Sequence, residues 1–305
     1  MSRSSTPLTL SDAEKSALLH VFPKGIVAVD LETTGLSPLV DKIIEIAAIK
    51  LTPDGELSSY HQLINPLIDI PDFTIQFHGI TNEMVAHSPT VRKPVKQLWD
   101  FVGRLPMVAH NSTFDLGYLV KCSHDFQVEF PPLDIYDSCR LARARFKGKP
   151  EAPANFKLST LAEYAQFPLQ HHVAIEDTMA SLKITAFTLM GAEKTETLLE
   201  RGFVFRLSSF ANTQAFQFPK KFEPLKTLIR NKKLLSIDYR GGQNKGYRPV
   251  RPIGLLPLPQ GAVLFGECLF THMHKSFLLT KIRNYDTLDA CVYPRLEGEI
   301  NEELD

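Results

Sequence analysis

Paired cysteines, long apolar runs and a net charge are all missing from this 305-residue sequence. Cys122, Cys139, Cys268 and Cys291 are scattered with no C-x-x-C pair, which speaks against a zinc ribbon or a disulfide framework and for reduced, mostly buried thiols. No apolar run approaches the roughly 20 residues of a membrane span. The opening MSRSSTPLTLSDAEK also lacks an apolar signal core, so no membrane partner and a cytoplasmic location are expected. The 34 basic and 34 acidic residues cancel to a formal net charge of +0. Their distribution is uneven. Lys220, Lys221, Lys226, Arg230, Lys232, Lys233, Arg240, Lys245, Arg248 and Arg251 face only Glu223 and Asp238 over one stretch, and Arg140, Arg143, Arg145, Lys147 and Lys149 form a second cluster. Such runs neutralise phosphates or form solvated helix faces. The final EGEINEELD reads as a disordered acidic tail.

What is present begins with Asp30 and Glu32, two apart in the β-branched and apolar run IVAVDLETTGL from Ile26. Strand geometry points both carboxylates to one face. There they repel each other and lose hydration, a cost that a divalent cation removes. Two further segments carry acids: MVAHNSTFDLGYL from Met107, with Asp115, and QHHVAIEDTMASL from Gln170, with Asp177 behind His171 and His172. Taken singly, Asp115 and Asp177 also fit partners of a helix N-terminus. Glu45, in IIEIAA, fits either an outer acid of such a site or a simple strand residue.

Periodicity predicts an α/β protein. A Ser11/Glu14 capping box announces a short helix. Strands are expected at Ile26 to Leu31, Ile43 to Leu51 and Tyr60 to Ile64, with short strands at Met107 to Ala109 and Asp134 to Tyr136. Helices are expected at Val91 to Val102, Thr113 to Cys122, Ser138 to Phe146, Leu158 to Ala165 and Ile175 to Met190. Beyond a charged helix near Glu193 to Glu200, the aromatic stretch before Leu225 reads as a linker. A helix from Leu225 then precedes strands at Leu235 to Tyr239, Val263 to Leu269, Ser276 to Thr280 and Tyr285 to Tyr293. The expected division is an N-terminal extension at 1–21, a first domain at 22–192, a linker at 193–224, a small mostly-β domain at 225–293 and the tail at 294–305.

The three acidic segments, together with DKIIEIAAIKL, HGITNEMV and FKLSTLAEYAQFPL, resemble the DEDDh family of 3′-to-5′ exonucleases, of RNase T and proofreading-subunit type, from about Ile26 to Met190. The pattern H-x-A-x-x-D starting at His172 matches the family's histidine branch and leaves His171 to structure or substrate contact. The resemblance implies an RNase H-like fold and two Mg²⁺ or Mn²⁺ ions held by Asp30, Glu32, Asp115 and Asp177, with His172 as general base. It further implies nucleoside monophosphate release from DNA or RNA 3′ ends, single-stranded or frayed. Thr33, Gly35 and Leu36 would receive the terminal nucleotide, and Asn111 and Phe114 its sugar and base.

The segments SIDYRGGQNKGYRPVRPIGLLPL, VLFGECL and KSFLLTKIRNYDTL resemble the WYL domain, a Sm-like β-barrel module, although its naming triplet reads Val263, Leu264 and Phe265 here. Tyr239, Arg248, Lys275 and Lys281 fall at positions that are polar or basic in that family. They would contact single-stranded nucleic acid, a nucleotide or another small ligand, unless they form a solvated strand face. A nucleic-acid-binding or ligand-sensing regulator that keeps the nuclease fold as scaffold is the competing reading, and oligomeric state is open.

Overall fold

The computed structural model describes residues 9–169, 173–211, 213–240 and 247–288. Contacts divide the chain into two units, 1–34 with 43–208, and 35–42 with 209–305.

In the N-terminal unit, α1 (Asp12–Val21) begins at the expected capping box: Glu14 N–H donates to Ser11 Oγ at 3.3 Å, and Ser11 N–H donates to the Glu14 carboxylate at 2.7 Å. Three antiparallel strands follow, β1 (Ile26–Thr33), β2 (Ile43–Leu51) and β3 (Leu57–Leu63). Ile26, Val27, Ala28 and Val29 have no exposed surface. A strand buried on both faces reads as a continuous apolar run, and that is why β1 lies inside the sheet. Each fully buried Val or Ile side chain contributes on the order of 1.5–3 kcal/mol. On β3 exposed and half-buried positions mix, as on a sheet edge.

The short helices α2 (Asp72–His78) and α3 (Asn82–Val85), absent from the sequence reading, precede α4 (Arg92–Val102) and β4 (Met107–Ala109). Next come α5 (Thr113–Asp125), β5 (Asp134–Asp137), α6 (Ser138–Phe146), α7 (Leu158–Tyr164) and α8 (Ala174–Leu189). The only tryptophan, Trp99 on α4, donates its indole N–H to Ser123 Oγ on α5 at 2.9 Å. Strand order is β3-β2-β1-β4-β5-β6, with β1, β4 and β5 parallel, and this mixed sheet under helices is the RNase H-like arrangement. Helix α8 crosses the core: Met179, Leu182, Ala186 and Leu189 pack with Leu18, Ile26, Ile49 and Leu51.

The stretch read as a linker, 193–224, divides between the units. Helix α9 (Thr195–Gly202) leads into β6 (Phe203–Arg206), which pairs antiparallel with β5 and supplies the sixth strand. From residue 209 the chain groups with the C-terminal unit, through 3₁₀ turns at Thr213–Phe216 and Lys220–Phe222 and then α10 (Glu223–Arg230).

That unit is a five-stranded antiparallel sheet of order β10-β9-β8-β7-β11, from β7 (Leu235–Tyr239), β8 (Tyr247–Leu258), β9 (Gly261–Cys268), β10 (Met273–Leu278) and β11 (Ile282–Thr287). Its core gathers Phe222, Leu225, Leu235, Ile237, Val250, Leu255, Leu264 and Phe277. The 12-residue β8 is the central strand and was not expected as one, because Pro249, Pro252 and Pro257 interrupt it and proline donates no ladder hydrogen bond. Its register with β9 shifts between Pro252 and Gly254, the irregularity by which a proline-bearing strand stays central. The acidic tail and most of the expected strand end beyond Thr287 lie outside the described residues.

Candidate active site

Asp30 and Glu32 stand on β1, and β2 runs beside them with Ala47 opposite Asp30 and Glu45 opposite Glu32. The first turn of α8 brings Asp177. Ligand oxygens of Asp30, Glu32 and Asp177 all lie within 4.8 Å of one another, the acid trio among the described residues that could hold a metal ion. Asp115 enters from the first turn of α5, where its Oδ1 accepts the Leu31 N–H at 3.2 Å and fixes the carboxylate to the backbone between the two β1 acids.

The α5 entry is set by local chemistry. Asn111 takes a left-handed φ of 61°, the buried Ser112 N–H donates to Asp137 Oδ2 at 3.1 Å, and Asp137 also caps α6 by accepting the Arg140 N–H at 3.0 Å. Asparagine tolerates this backbone better than most residues. One buried aspartate thus fixes two helix starts, and with them the approach of Asp115.

Electrostatically the site is acid against acid. Loss of hydration, then the charges of Asp115, Glu32, Asp177 and Glu45, hold the Asp30 carboxyl well above the usual range. Burial, then Glu45, Asp177 and Asp115, push Glu32 up to about 8. Burial also raises Asp115, against the opposing N–H bonds from its own backbone and from Leu31. Hard divalent cations prefer an all-oxygen donor set, and a cation here offsets both the lost hydration and the repulsion, so the residues fit Mg²⁺ or Mn²⁺.

Sequence reasoning missed His61. It lies on β3, where its Nε2 is 2.6 Å from Glu45 Oε1, and this bond raises the imidazole pKa against a smaller opposing effect of burial. Its strand partner is Ala47, so the contact to Glu45 is a cross-strand diagonal that local spacing does not reveal. His171 and His172 lie outside the described residues.

The remaining predicted residues stand on several elements. Thr33 is buried at the end of β1, while Gly35 and Leu36 group with the C-terminal unit. Asn111 is exposed, and Phe114 meets Tyr118 edge-on at 5.1 Å. In the C-terminal sheet, the Tyr239 hydroxyl accepts the Leu278 N–H at 3.3 Å, and the buried Arg248 guanidinium lies 5.4 Å from the Tyr239 ring centroid. Lys275 stands opposite Gly266 on β10, and the exposed Lys281 gives its carbonyl to the Arg240 N–H.

Sheet order and acid placement define the class, an RNase H-like unit with a nuclease-type carboxylate cluster. The RNase T family profile, described as an exonuclease, matches residues 27–185, and the chain belongs to this exonuclease family. A DNA polymerase III of PolC type from Clostridium perfringens is 33% identical over 185 residues, covering 60% of this chain and 12% of that protein. A 3′-5′ exonuclease DinG from Staphylococcus epidermidis is 32% identical over 162 residues, 52% of this chain and 18% of its own. The chain thus spans less than a fifth of either relative. Among solved structures, the nuclease domain of 3′hExo, a DEDDh family member bound to rAMP, aligns over 60% of this chain and 98% of its own, at 19% identity and a TM-score of 0.49.

Proposed function

We propose that this protein is a divalent-metal-dependent 3′-to-5′ exonuclease that hydrolyses the terminal phosphodiester of DNA or RNA and releases nucleoside monophosphates. The carboxylate trio within 4.8 Å, inside the stretch that the exonuclease family profile matches, is the observation that carries this reading. Asp30, Glu32 and Asp177 would hold two Mg²⁺ or Mn²⁺ ions, with Asp115 assisting. Such ions supply charge neutralisation at the phosphate and a more acidic water. His172 removes the proton from the attacking water, since imidazole titrates near neutral pH. Thr33, Gly35 and Leu36 are assigned to the terminal nucleotide, and Asn111 and Phe114 to its sugar and base. The name of the staphylococcal relative agrees with the direction of attack. A cytoplasmic location suits the free thiols of Cys122, Cys139 and Cys268.

Mononucleotide release from a 3′-labelled oligonucleotide tests the assignment. Wild type releases mononucleotides with Mg²⁺ or Mn²⁺, and both a chelator and Asp115→Ala suppress the release. An unchanged rate in both cases refutes it.

The C-terminal unit is assigned to guiding the substrate strand or sensing a ligand, supported by the basic stretch Lys220 to Arg251. Full-length Lys220→Glu/Lys233→Glu is expected to weaken oligonucleotide binding and to lower its salt slope by about one for each lost phosphate contact. Unchanged affinity favours ligand sensing.

A further inference from the structure

Residues 35–42 connect β1 to β2, yet they are packed as part of the C-terminal unit. The connection leaves β1 three residues after Glu32 and enters β2 three residues before Glu45, and these two acids are opposite each other in the ladder. The β1–β2 register also shifts between Glu32 and Thr33, where the connection begins.

The fit of this segment in the C-terminal unit is specific. Leu39 N–H donates to Leu255 O at 3.2 Å, and Leu255 N–H donates to Ser37 Oγ at 3.2 Å, so the segment pairs with β8 just past its proline irregularity. A Cβ on Gly254 would collide with the Leu36 carbonyl oxygen, so only glycine lets the two backbones approach this closely. Leu39 and Val40 pack against the core formed by Phe222, Leu255 and Phe277. Inside the segment, Asp41 Oδ2 accepts the Ser37 N–H at 2.9 Å, and Arg230 of α10 lies 3.9 Å from the other Asp41 oxygen. An ordinary surface hairpin would need none of these partners.

We propose that the C-terminal unit is a positioning element for the carboxylate site: by holding residues 35–42 it fixes the ends of β1 and β2 and thereby the spacing of Glu32 and Glu45. Ser37 and Gly254 are the positioning residues, acting through the backbone. The activity readout rests on the nuclease reading, whereas hydrogen exchange and ion binding do not.

The test uses full-length Ser37→Ala and Gly254→Ala, with Phe277→Leu as a control that loosens the same core without touching the segment's hydrogen bonds. Expected for both positioning variants are faster amide exchange in residues 31–34 and 43–45 as well as in 35–42, several-fold weaker Mn²⁺ binding, and kcat for mononucleotide release lower by on the order of tenfold at little-changed KM. Phe277→Leu lowers thermal stability but leaves Mn²⁺ binding and kcat at wild-type values. Exchange that accelerates only within 35–42, with wild-type Mn²⁺ affinity, overturns the proposal, as does an equal loss of Mn²⁺ binding in Phe277→Leu. If Gly254→Ala does not fold, Ser37→Ala decides. A wild type without nuclease activity defeats the nuclease reading, while exchange and Mn²⁺ binding still decide the coupling.

Discussion

The two units treat buried charge in opposite ways. In the C-terminal sheet, Arg251 and Glu267 are cross-strand partners, with guanidinium and carboxylate 3.4 Å apart and His272 Nδ1 3.1 Å from the other carboxylate oxygen. Negative charge is met by positive charge there. In the N-terminal unit, burial and then the charges of Asp115, Glu32 and Asp177 make Asp30 costly to ionise, and burial with Glu45, Asp177 and Asp115 does the same to Glu32. Even within that unit the contrast holds, since the half-buried Lys183–Glu14 pair at 2.7 Å is compensated. A buried acid matched by a base is explained by the fold; buried acids matched by acids are explained by something the fold is built to bind.

The largest effect expected from this contrast is on catalysis. Asp30→Asn removes the acid at the centre of the cluster and should cut mononucleotide release by on the order of 10³-fold, measured with Mg²⁺ in excess. In chelator at pH 8 the same variant should be more thermally stable than wild type, because it removes a carboxylate that burial and its acidic neighbours make costly to ionise. A variant that loses activity and stability together would mean that Asp30 is structural.

A smaller effect separates the compensated pair. Lys183→Met leaves the Glu14 carboxylate half-buried without its partner and should cost about 2–3 kcal/mol at pH 7, read by urea denaturation. Although burial alone would raise it, the Lys183 and Ser11 hydrogen bonds hold the Glu14 pKa below its usual value. A depressed folded pKa gives stability that is present above the ordinary carboxylate range and lost as pH falls through the folded value. The penalty of Lys183→Met should therefore shrink toward pH 3. An equal penalty at both pH values would contradict the ion-pair account.

How far the sequence exposed this contrast depended on whether its signal was local. The β1 acids were legible because a period of two on an apolar run places both on one face, and the capping box because its residues lie three apart. Strand β8 was hidden by three prolines whose tolerance depends on a register shift against β9. His61 was hidden because its partner Glu45 lies across a ladder. The strand β6 sat inside a stretch that looked irregular, and only its pairing with β5 makes it a strand. No local pattern reveals that the β1–β2 connection pairs with residue 255, far along the chain.

The most direct test of the central claim, that the carboxylate cluster is built for divalent cations, is the melting temperature of the full-length protein across pH, with chelator and with Mg²⁺ or Mn²⁺. Folded-state values for Asp30, Glu32 and Asp115 are raised, Glu32 to about 8. Raised carboxylates leave stability intact below the ordinary carboxylate range and erode it as pH rises toward the folded values, so the protein in chelator should lose stability between about pH 5 and 8. Cation should restore it at pH 8 in wild type and much less in Asp30→Asn. A melting temperature that stays flat over this range in chelator and does not respond to cation would contradict the claim.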